Sequence, residues 1–221
     1  MENIEQIVIY SAIIVIGYLI GSIPFGFIIG KLHGIDIRKV GSGNIGATNV
    51  TRSVGKVAGK ICFLLDFCKG LLPVLALNLL VGKGIITAPA GGVGTAVMIL
   101  AVVLGHMFSC YLKFTGGKGI ACAVGGLAAV VPLPALGAFL IWLAVFKLSG
   151  YVSLGSITGA VMLPVLVWLS GVLKISPVQS PGMMIFFTLL ALVAVWTHRS
   201  NIKRLLNGTE NSFRKKPANE Q

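Results

Sequence analysis

Charged residues are scarce in this 221-residue chain, since only 11% are Asp, Glu, Lys or Arg, whereas a soluble domain usually carries about 25%. Hydrophobic residues make up 56% of the chain, and the mean hydropathy is +0.94. One soluble core of this size cannot hide so much apolar surface, and disordered chains are poor in such residues. We therefore predict that lipid surrounds most of the chain.

Cysteine is also sparse, and its spacing lacks the Cys-x-x-Cys pattern of zinc sites. The four cysteines lie in or beside apolar stretches and are interpreted as small hydrophobic residues, not as zinc ligands or disulfide partners. We expect neither a metal nor a cofactor. They are Cys62, Cys68, Cys110 and Cys122. The first apolar stretch lacks both a basic leader and a small-residue cleavage site, which indicates a membrane span and not a signal peptide.

Crossing the hydrocarbon core takes about 20 apolar residues in a helix. The two segments beside Pro132 and Pro134 are short, so they form either two thin helices or one re-entrant hairpin. We predict an all-α polytopic membrane protein with seven transmembrane helices, or five if the Pro132 hairpin is re-entrant. The candidate segments are residues 7–29, 61–81, 93–112, 120–131, 133–146, 152–172 and 183–197.

The basic residues predict the orientation of these spans. Of the 18 Lys and Arg residues, all but three fall in four segments, around 31–60, 113–118, 147 and 199–216. With seven or five spans, all four segments lie on the same side of the membrane. By the positive-inside rule that side is cytoplasmic, and the N-terminus lies outside. Without any repeat or linker, residues 1–210 are expected to form one membrane domain, followed by a basic cytoplasmic tail at 211–221.

The net charge of +12 is typical of chains that meet nucleic acid, anionic lipid or anionic substrates. Nucleic acid is excluded here because no soluble domain remains outside the apolar segments. Glycines alternate with short polar residues in the loop at 41–52, which suits a phosphate or carboxylate but also an ordinary solvated turn.

A second polar segment holds His106 and the sequence Gly-Gly-Lys-Gly at 116–119, immediately before an apolar run. A lysine among glycines at the start of a helix is typical of an anion site, although a plain basic turn has the same composition. The sequence is not a Walker A loop, since neither Ser nor Thr follows Lys118. A third polar segment, residues 197–210, places His198 and Asn201 on one helical face; its alternative is a basic helix at the membrane surface.

Two charged residues lie inside the second apolar segment. Asp66 and Lys69 are three residues apart on a helix and can form an ion pair shielded from lipid. We interpret the pair as structural support for a site and not as part of the chemistry.

Taken together, the runs GSGNIGATNVTRSVG, GHMFSCYLKFTGGKGIA and HRSNIKRLLNGTE resemble the bacterial acyl-phosphate:glycerol-3-phosphate acyltransferase family of integral membrane enzymes. The resemblance extends from the first span to Glu210. It implies that an acyl group passes from acyl phosphate to the 1-hydroxyl of glycerol 3-phosphate, giving lysophosphatidic acid and phosphate in the first step of phospholipid synthesis. It also implies a bacterial inner-membrane protein whose site faces the cytoplasm, with the soluble enzyme that makes acyl phosphate as a neighbour.

The resemblance further assigns roles to residues of the three runs. It implies that Lys118, His198 and Asn201 act in catalysis, with His198 and Asn201 near the glycerol end. The proton acceptor is either His198 or the phosphate of glycerol 3-phosphate. The implied substrate contacts are Ser42, Gly43, Asn44, Thr48, Asn49, Arg52, His106, Gly116, Gly117, Gly119 and Glu210.

Two other functions fit parts of the sequence. The charges inside a span and the broken apolar segments would suit a small transporter or channel for an organic anion, but the halves show no inverted repeat. A scaffold that binds anionic lipid through its tail would leave the first two polar loops unexplained. Phosphate release that depends on both acyl phosphate and glycerol 3-phosphate would select the enzyme.

Overall fold

Ten α-helices make up most of the computed structural model, which describes residues 2–89, 92–176 and 179–214; this part of the chain contains no β-strand. The chain divides into two units, Met1–Pro132 and Leu133–Gln221. The helices are α1 (Glu2–Ser22), α2 (Phe25–Leu32), α3 (Ala47–Ser53), α4 (Lys56–Gly82), α5 (Val93–Met107), α6 (Ile120–Ala128), α7 (Pro132–Ser149), α8 (Val152–Val172), α9 (Pro181–Thr197) and α10 (Arg199–Leu206).

In the first unit, α1 and α2 form one apolar stretch that Pro24 interrupts. The break leaves backbone carbonyls without helical partners, and Lys69 of α4 donates a hydrogen bond of 2.7 Å to the Ile23 carbonyl there. Glycine allows α1 to approach α5 closely, because a side chain at Gly21 would collide with the backbone of Val102. The hydrogen bond from Lys69 therefore fastens α4 to the break between α1 and α2.

The longest helix, α4, packs against α3, α5 and α6. Its contact with α6 is backbone to backbone, since a side chain at Gly70 would collide with Cys122 and one at Gly125 with Phe67. The start of α4 also closes a small apolar core with α2 and the loop between α2 and α3, which holds the first polar loop on a rigid base. That core consists of Ile29, Ile37, Ile45, Val50, Ala58, Cys62 and Leu112.

The second unit contains α7 to α10. Helices α8 and α9 pack side by side, and the chain then bends by 56° between α9 and α10. The start of the predicted tail is ordered against α7: the Phe213 amide donates to the Gly150 carbonyl at 2.9 Å, and Arg214 donates to the Leu148 carbonyl. Lys215, Lys216 and the rest of the predicted tail lie outside the described residues.

The prediction of seven membrane-spanning helices is not confirmed. Five helical stretches of the described chain are long and apolar enough to cross a membrane, or six if the bent pair α9 and α10 counts as one span. Helix α6 has nine residues, about 14 Å of helix against a hydrocarbon core of about 30 Å. Helix α7 has 18 residues and qualifies as a span, so the two segments beside Pro132 are unequal and not the matched pair that their sequences suggested.

Candidate active site

The first polar loop is organised by the side chain of Asn49, which is 1% exposed. Its Nδ2 donates to the carbonyls of Ile37, Val40 and Asn44 at 2.9–3.0 Å, and its Oδ1 accepts the Ser42 amide at 3.0 Å. One buried amide thus satisfies four backbone groups of a loop without regular structure. The structure brings Ser42, Asn44 and Asn49 together, with Asn49 holding the loop.

Glycine is required at two positions of this loop. Gly41 and Gly43 have φ of +60° and +70°, which side chains rarely adopt, and a side chain at Gly41 would collide with the Asn49 amide. The Asn44 side chain accepts the Gly46 amide at 2.8 Å, which turns the chain into α3. Ser42 is exposed, whereas Thr48 and Arg52 are half-buried on α3.

A cation before this loop is already engaged. Arg38 forms a two-pronged hydrogen-bonded ion pair with Asp36, at 2.8 and 2.9 Å, and lies 4.5 Å from the ring centre of Phe27. The guanidinium holds the pKa of the Asp36 carboxyl well below its usual range. Arg38 therefore contributes little net charge to the loop.

The Gly-Gly-Lys-Gly segment packs on the end of α5. The Gly117 amide donates to the His106 carbonyl at 3.0 Å, and side chains at Gly116 or Gly117 would collide with His106. Gly119 has a φ of +78° as the residue preceding α6. Lys118, half-buried, thus stands two residues before the first residue of α6, where the helix dipole adds to its attraction for an anion.

The predicted ion pair inside α4 is confirmed, and a histidine joins it. Lys69 Nζ lies 2.8 Å from Asp66 Oδ1, and His106 Nδ1 lies 3.6 Å from the same oxygen. The side chains of all three residues are at most 5% exposed. Burial of charges is tolerated only when they are paired, and Lys69 also holds the carbonyl at the α1–α2 break.

In the second unit, His198 stands at the bend between α9 and α10. It is 3% exposed, and its Nδ1 lies 2.8 Å from the Ala194 carbonyl. Because a carbonyl only accepts, Nδ1 carries the proton in the neutral imidazole and Nε2 is the basic nitrogen. A backbone carbonyl therefore fixes the tautomer of His198.

Glu210 folds back onto α10 and α8. Its Oε1 accepts from Asn201 Nδ2 at 2.7 Å and from Ser153 Oγ at 2.8 Å, while its Oε2 accepts from Arg204 Nε at 2.7 Å. Burial raises the pKa of Glu210, but these three hydrogen bonds outweigh that effect and hold the pKa below its usual range. Asn201 and Glu210 are thus brought together, and Glu210 orients the Asn201 amide.

The sequence did not indicate four residues that make hydrogen bonds in these regions, two in each unit. Ser153 and Arg204 complete the Glu210 cluster. At the end of α1, the buried Ser109 Oγ donates to the Ser22 carbonyl at 2.5 Å. A single serine or arginine in a sequence does not indicate its hydrogen-bond partner. The short spacing of Arg204 and Glu210, six residues, could nevertheless have suggested that these two pair.

Comparison with known proteins places these features in one family. Residues 11–208 match the sequence model described as glycerol-3-phosphate acyltransferase. A glycerol-3-phosphate acyltransferase of Desulforamulus reducens is 48% identical over 204 residues, covering 91% of this chain and 94% of that protein. One of Aquifex aeolicus is 42% identical over 204 residues, covering 91% and 97%.

Two crystal structures have the same fold. One is an integral membrane glycerol 3-phosphate acyltransferase in its glycerol 3-phosphate form, with a TM-score of 0.82 and 40% identity, covering 93% of this chain and 96% of that one. The other is the lysophosphatidic acid form, with a TM-score of 0.80 and 38% identity, covering 93% and 95%.

Proposed function

Because the chain belongs to the glycerol-3-phosphate acyltransferase family, we propose that it transfers an acyl group from acyl phosphate to the 1-hydroxyl of glycerol 3-phosphate. The products are lysophosphatidic acid and inorganic phosphate. The observation that carries this proposal is the match over residues 11–208 to a family whose solved members include a glycerol 3-phosphate form and a lysophosphatidic acid form.

The choice of acyl phosphate as donor rests on the chemistry of the chain's own residues. An acyl phosphate is a mixed anhydride and already activated, so the enzyme needs no covalent nucleophile. Acyltransferases that use other donors often carry an Asp five residues after a His, but Arg38, Tyr111 and Lys203 stand at those positions here. Both proposed substrates carry a phosphate, which agrees with two segments that combine glycine with cations.

The two glycine-containing segments of the first unit bind the phosphates in this proposal. Ser42, Asn44, Thr48 and Arg52 present hydroxyls, a side-chain amide and charge from a loop that Asn49 holds in shape, and Gly43 supplies the turn between them. In the second segment, Lys118 and the amides of Gly116 and Gly119 hold a phosphate at the start of α6, while the Gly117 amide is bonded to the His106 carbonyl and fixes the backbone. Charge-assisted hydrogen bonds of this kind stabilise the negative charge that develops when the phosphate leaves.

In the second unit, His198 and Asn201 orient the glycerol end. The glycerol hydroxyl oxygen attacks the carbonyl carbon, the carbon–oxygen bond to phosphate breaks, and the hydroxyl proton passes to an acceptor. With its Nδ1 hydrogen-bonded to Ala194, His198 can only accept that proton through Nε2. The alternative acceptor is the phosphate of glycerol 3-phosphate itself; we assign the proton to this phosphate and a positioning role to His198.

The same proposal places the protein in the bacterial inner membrane with its N-terminus outside and its site facing the cytoplasm. The distribution of Lys and Arg supports this orientation through the positive-inside rule. A cytoplasmic site would receive glycerol 3-phosphate from solution and acyl phosphate from the soluble enzyme that makes it, while the acyl chain stays in the lipid.

The test uses the purified full chain in lipid nanodiscs with acyl phosphate and glycerol 3-phosphate. We expect release of inorganic phosphate and formation of lysophosphatidic acid, each dependent on both substrates. Acylation from acyl-CoA but not from acyl phosphate would overturn the proposed donor. Uptake of glycerol 3-phosphate into proteoliposomes without acylation would favour a transporter and overturn the proposed reaction.

A further inference from the structure

His106 connects a buried charge pair to the Gly-Gly-Lys-Gly segment. On one side of the ring, Nδ1 lies 3.6 Å from Asp66 Oδ1, an oxygen that also contacts Lys69 Nζ at 2.8 Å. On the other side, the ring packs against Gly117. The histidine is 5% exposed, so it meets protein on every side.

The contact with Gly117 is unusually specific. The three atoms nearest to a Cβ built at Gly117 all belong to the His106 ring, namely Nε2, Cδ2 and Cε1. The Gly117 amide meanwhile donates to the His106 carbonyl, and a Cβ at Gly116 would collide with the carbonyls of His106 and Met107. The backbone at 116–117 therefore lies directly on His106, and the orientation of the ring decides where this backbone sits.

A polar ring is a costly choice for simple packing. His106 Nδ1 lies 3.6 Å from Asp66 Oδ1, beyond normal hydrogen-bond distance, and a buried polar atom in that state destabilises a protein relative to an apolar group of the same shape. An imidazole that faces a carboxylate is, however, restrained in its rotation by electrostatic attraction. The Asp66 carboxylate thus restrains the orientation of the His106 ring.

We infer that His106 is a positioning residue: its imidazole, oriented by Asp66, holds the segment 116–119 in the conformation that binds a phosphate group. The inference rests on the proposed acyltransferase function, since it concerns the same segment. The phosphate belongs either to acyl phosphate or to glycerol 3-phosphate, and separate KM measurements for the two substrates distinguish them.

The test is a double-variant cycle on the full chain in nanodiscs with Gly117→Ala, His106→Ser and both together. Gly117→Ala should raise the KM of one phosphate-bearing substrate about tenfold or more, because the new methyl group and the ring displace the segment. His106→Ser should also raise this KM, since the segment loses its support. In the His106→Ser background, Gly117→Ala should change the KM less than about threefold, because the ring it would meet is absent.

The matched control is Gly82→Ala, at an exposed helix end where a new Cβ meets no atom within 4 Å; it should leave both KM values unchanged. The thermal unfolding midpoint gives a second measurement of the same cycle. If Gly117→Ala gives no folded protein, recovery of folded protein by the added His106→Ser supports the inference, and failure to recover overturns it.

Equal effects of Gly117→Ala in both backgrounds would overturn the inference, as would a fall in kcat with both KM values unchanged. These outcomes are separate from the fate of the proposed function. An unaltered chain that forms no lysophosphatidic acid removes the proposed function, whereas an active chain with additive effects removes only the role of His106.

Discussion

The side chain of Asn49 serves three carbonyls and one amide of its loop, and this changes how the loop is understood at the scale of single residues. The family resemblance implied Asn49 as a substrate contact, yet its amide group is engaged by the protein. Ser42 is exposed in the same loop and Arg52 half-buried, which leaves them as better candidates for direct contact with phosphate. A residue can therefore serve a site by holding its backbone.

Replacing Lys118 with alanine tests the second phosphate-binding segment. Losing a charged hydrogen bond costs about 1.5–3 kcal/mol, so we expect kcat/KM to fall roughly ten- to a hundredfold. Steady-state kinetics on protein of unchanged thermal midpoint measures the effect. Lys83→Ala, at the exposed C-terminal end of α4, is the matched control and should retain full activity. A Lys118→Ala protein with normal turnover would remove this residue from the site.

Replacing His198 with glutamine tests where the hydroxyl proton goes. Glutamine can still hydrogen-bond but cannot act as a base, so under substrate assistance some rate and the acidic limb of the pH–rate profile should both survive. That limb then reports the second ionisation of a substrate phosphate, expected near pH ~6. The measurement is a pH series at saturating substrates on both proteins. Loss of the limb together with a fall of about a thousandfold would make His198 the base.

At the scale of elements, helix α10 is linked to α8 by the carboxylate of Glu210. Helix α10 has eight residues, too few for an isolated helix to be stable in water. Glu210 follows it and connects its Asn201 and Arg204 to Ser153 of α8. The orientation of Asn201 therefore depends on a residue nine positions later and on one from another helix.

Glu210→Gln should destabilise the protein by about 1.5–3 kcal/mol at neutral pH, because the new amide faces the Arg204 donor and the charge is lost. The folded-state pKa of Glu210 is lowered, so its contribution to stability is complete above the unfolded value of about 4.3 and disappears as the pH falls through the folded value. The difference in thermal unfolding midpoint between the unaltered protein and Glu210→Gln should therefore be largest at neutral pH and should shrink as the pH falls through the folded-state pKa of Glu210.

The control for this experiment is Glu5→Gln, an exposed residue near the start of α1, which should leave the midpoint unchanged at every pH. A Glu210→Gln protein whose midpoint equals that of the unaltered chain at pH 7 would mean that the cluster does not stabilise α10.

At the scale of the whole molecule, the excess of Lys and Arg in a few segments predicts that the two chain ends lie on opposite sides of the membrane. A peptide tag at the N-terminus should be reached by antibody in intact spheroplasts, and one at the C-terminus only after permeabilisation. Inverted membrane vesicles should give the reverse pattern. Both tags on the same side would contradict an odd number of spans. The structure does not fix this number, because α6 has only nine residues.

Much of the fold could be predicted from sequence because membrane helices depend on local composition. Apolar runs of the right length gave the candidate membrane spans at 93–112 and 152–172 with the same bounds as in the structure. The segment at 120–131 failed because its apolar run continues past Ala128, where the helix ends. Hydropathy measures which solvent a segment prefers and not where its hydrogen-bonded turns end.

The sequence by itself determined the lipid environment, the helical class, the three polar segments and the family they resemble, since each depends on residue type and near spacing. Only the tertiary structure decided that His106 joins Asp66 and Lys69, that Ser153 meets Glu210 57 positions away, and that Asn49 holds its own loop. Helix periodicity fixes which residues share a face. Which faces meet depends on the close approach of backbones at glycines such as Gly70 and Gly117, and that is a property of the packed chain.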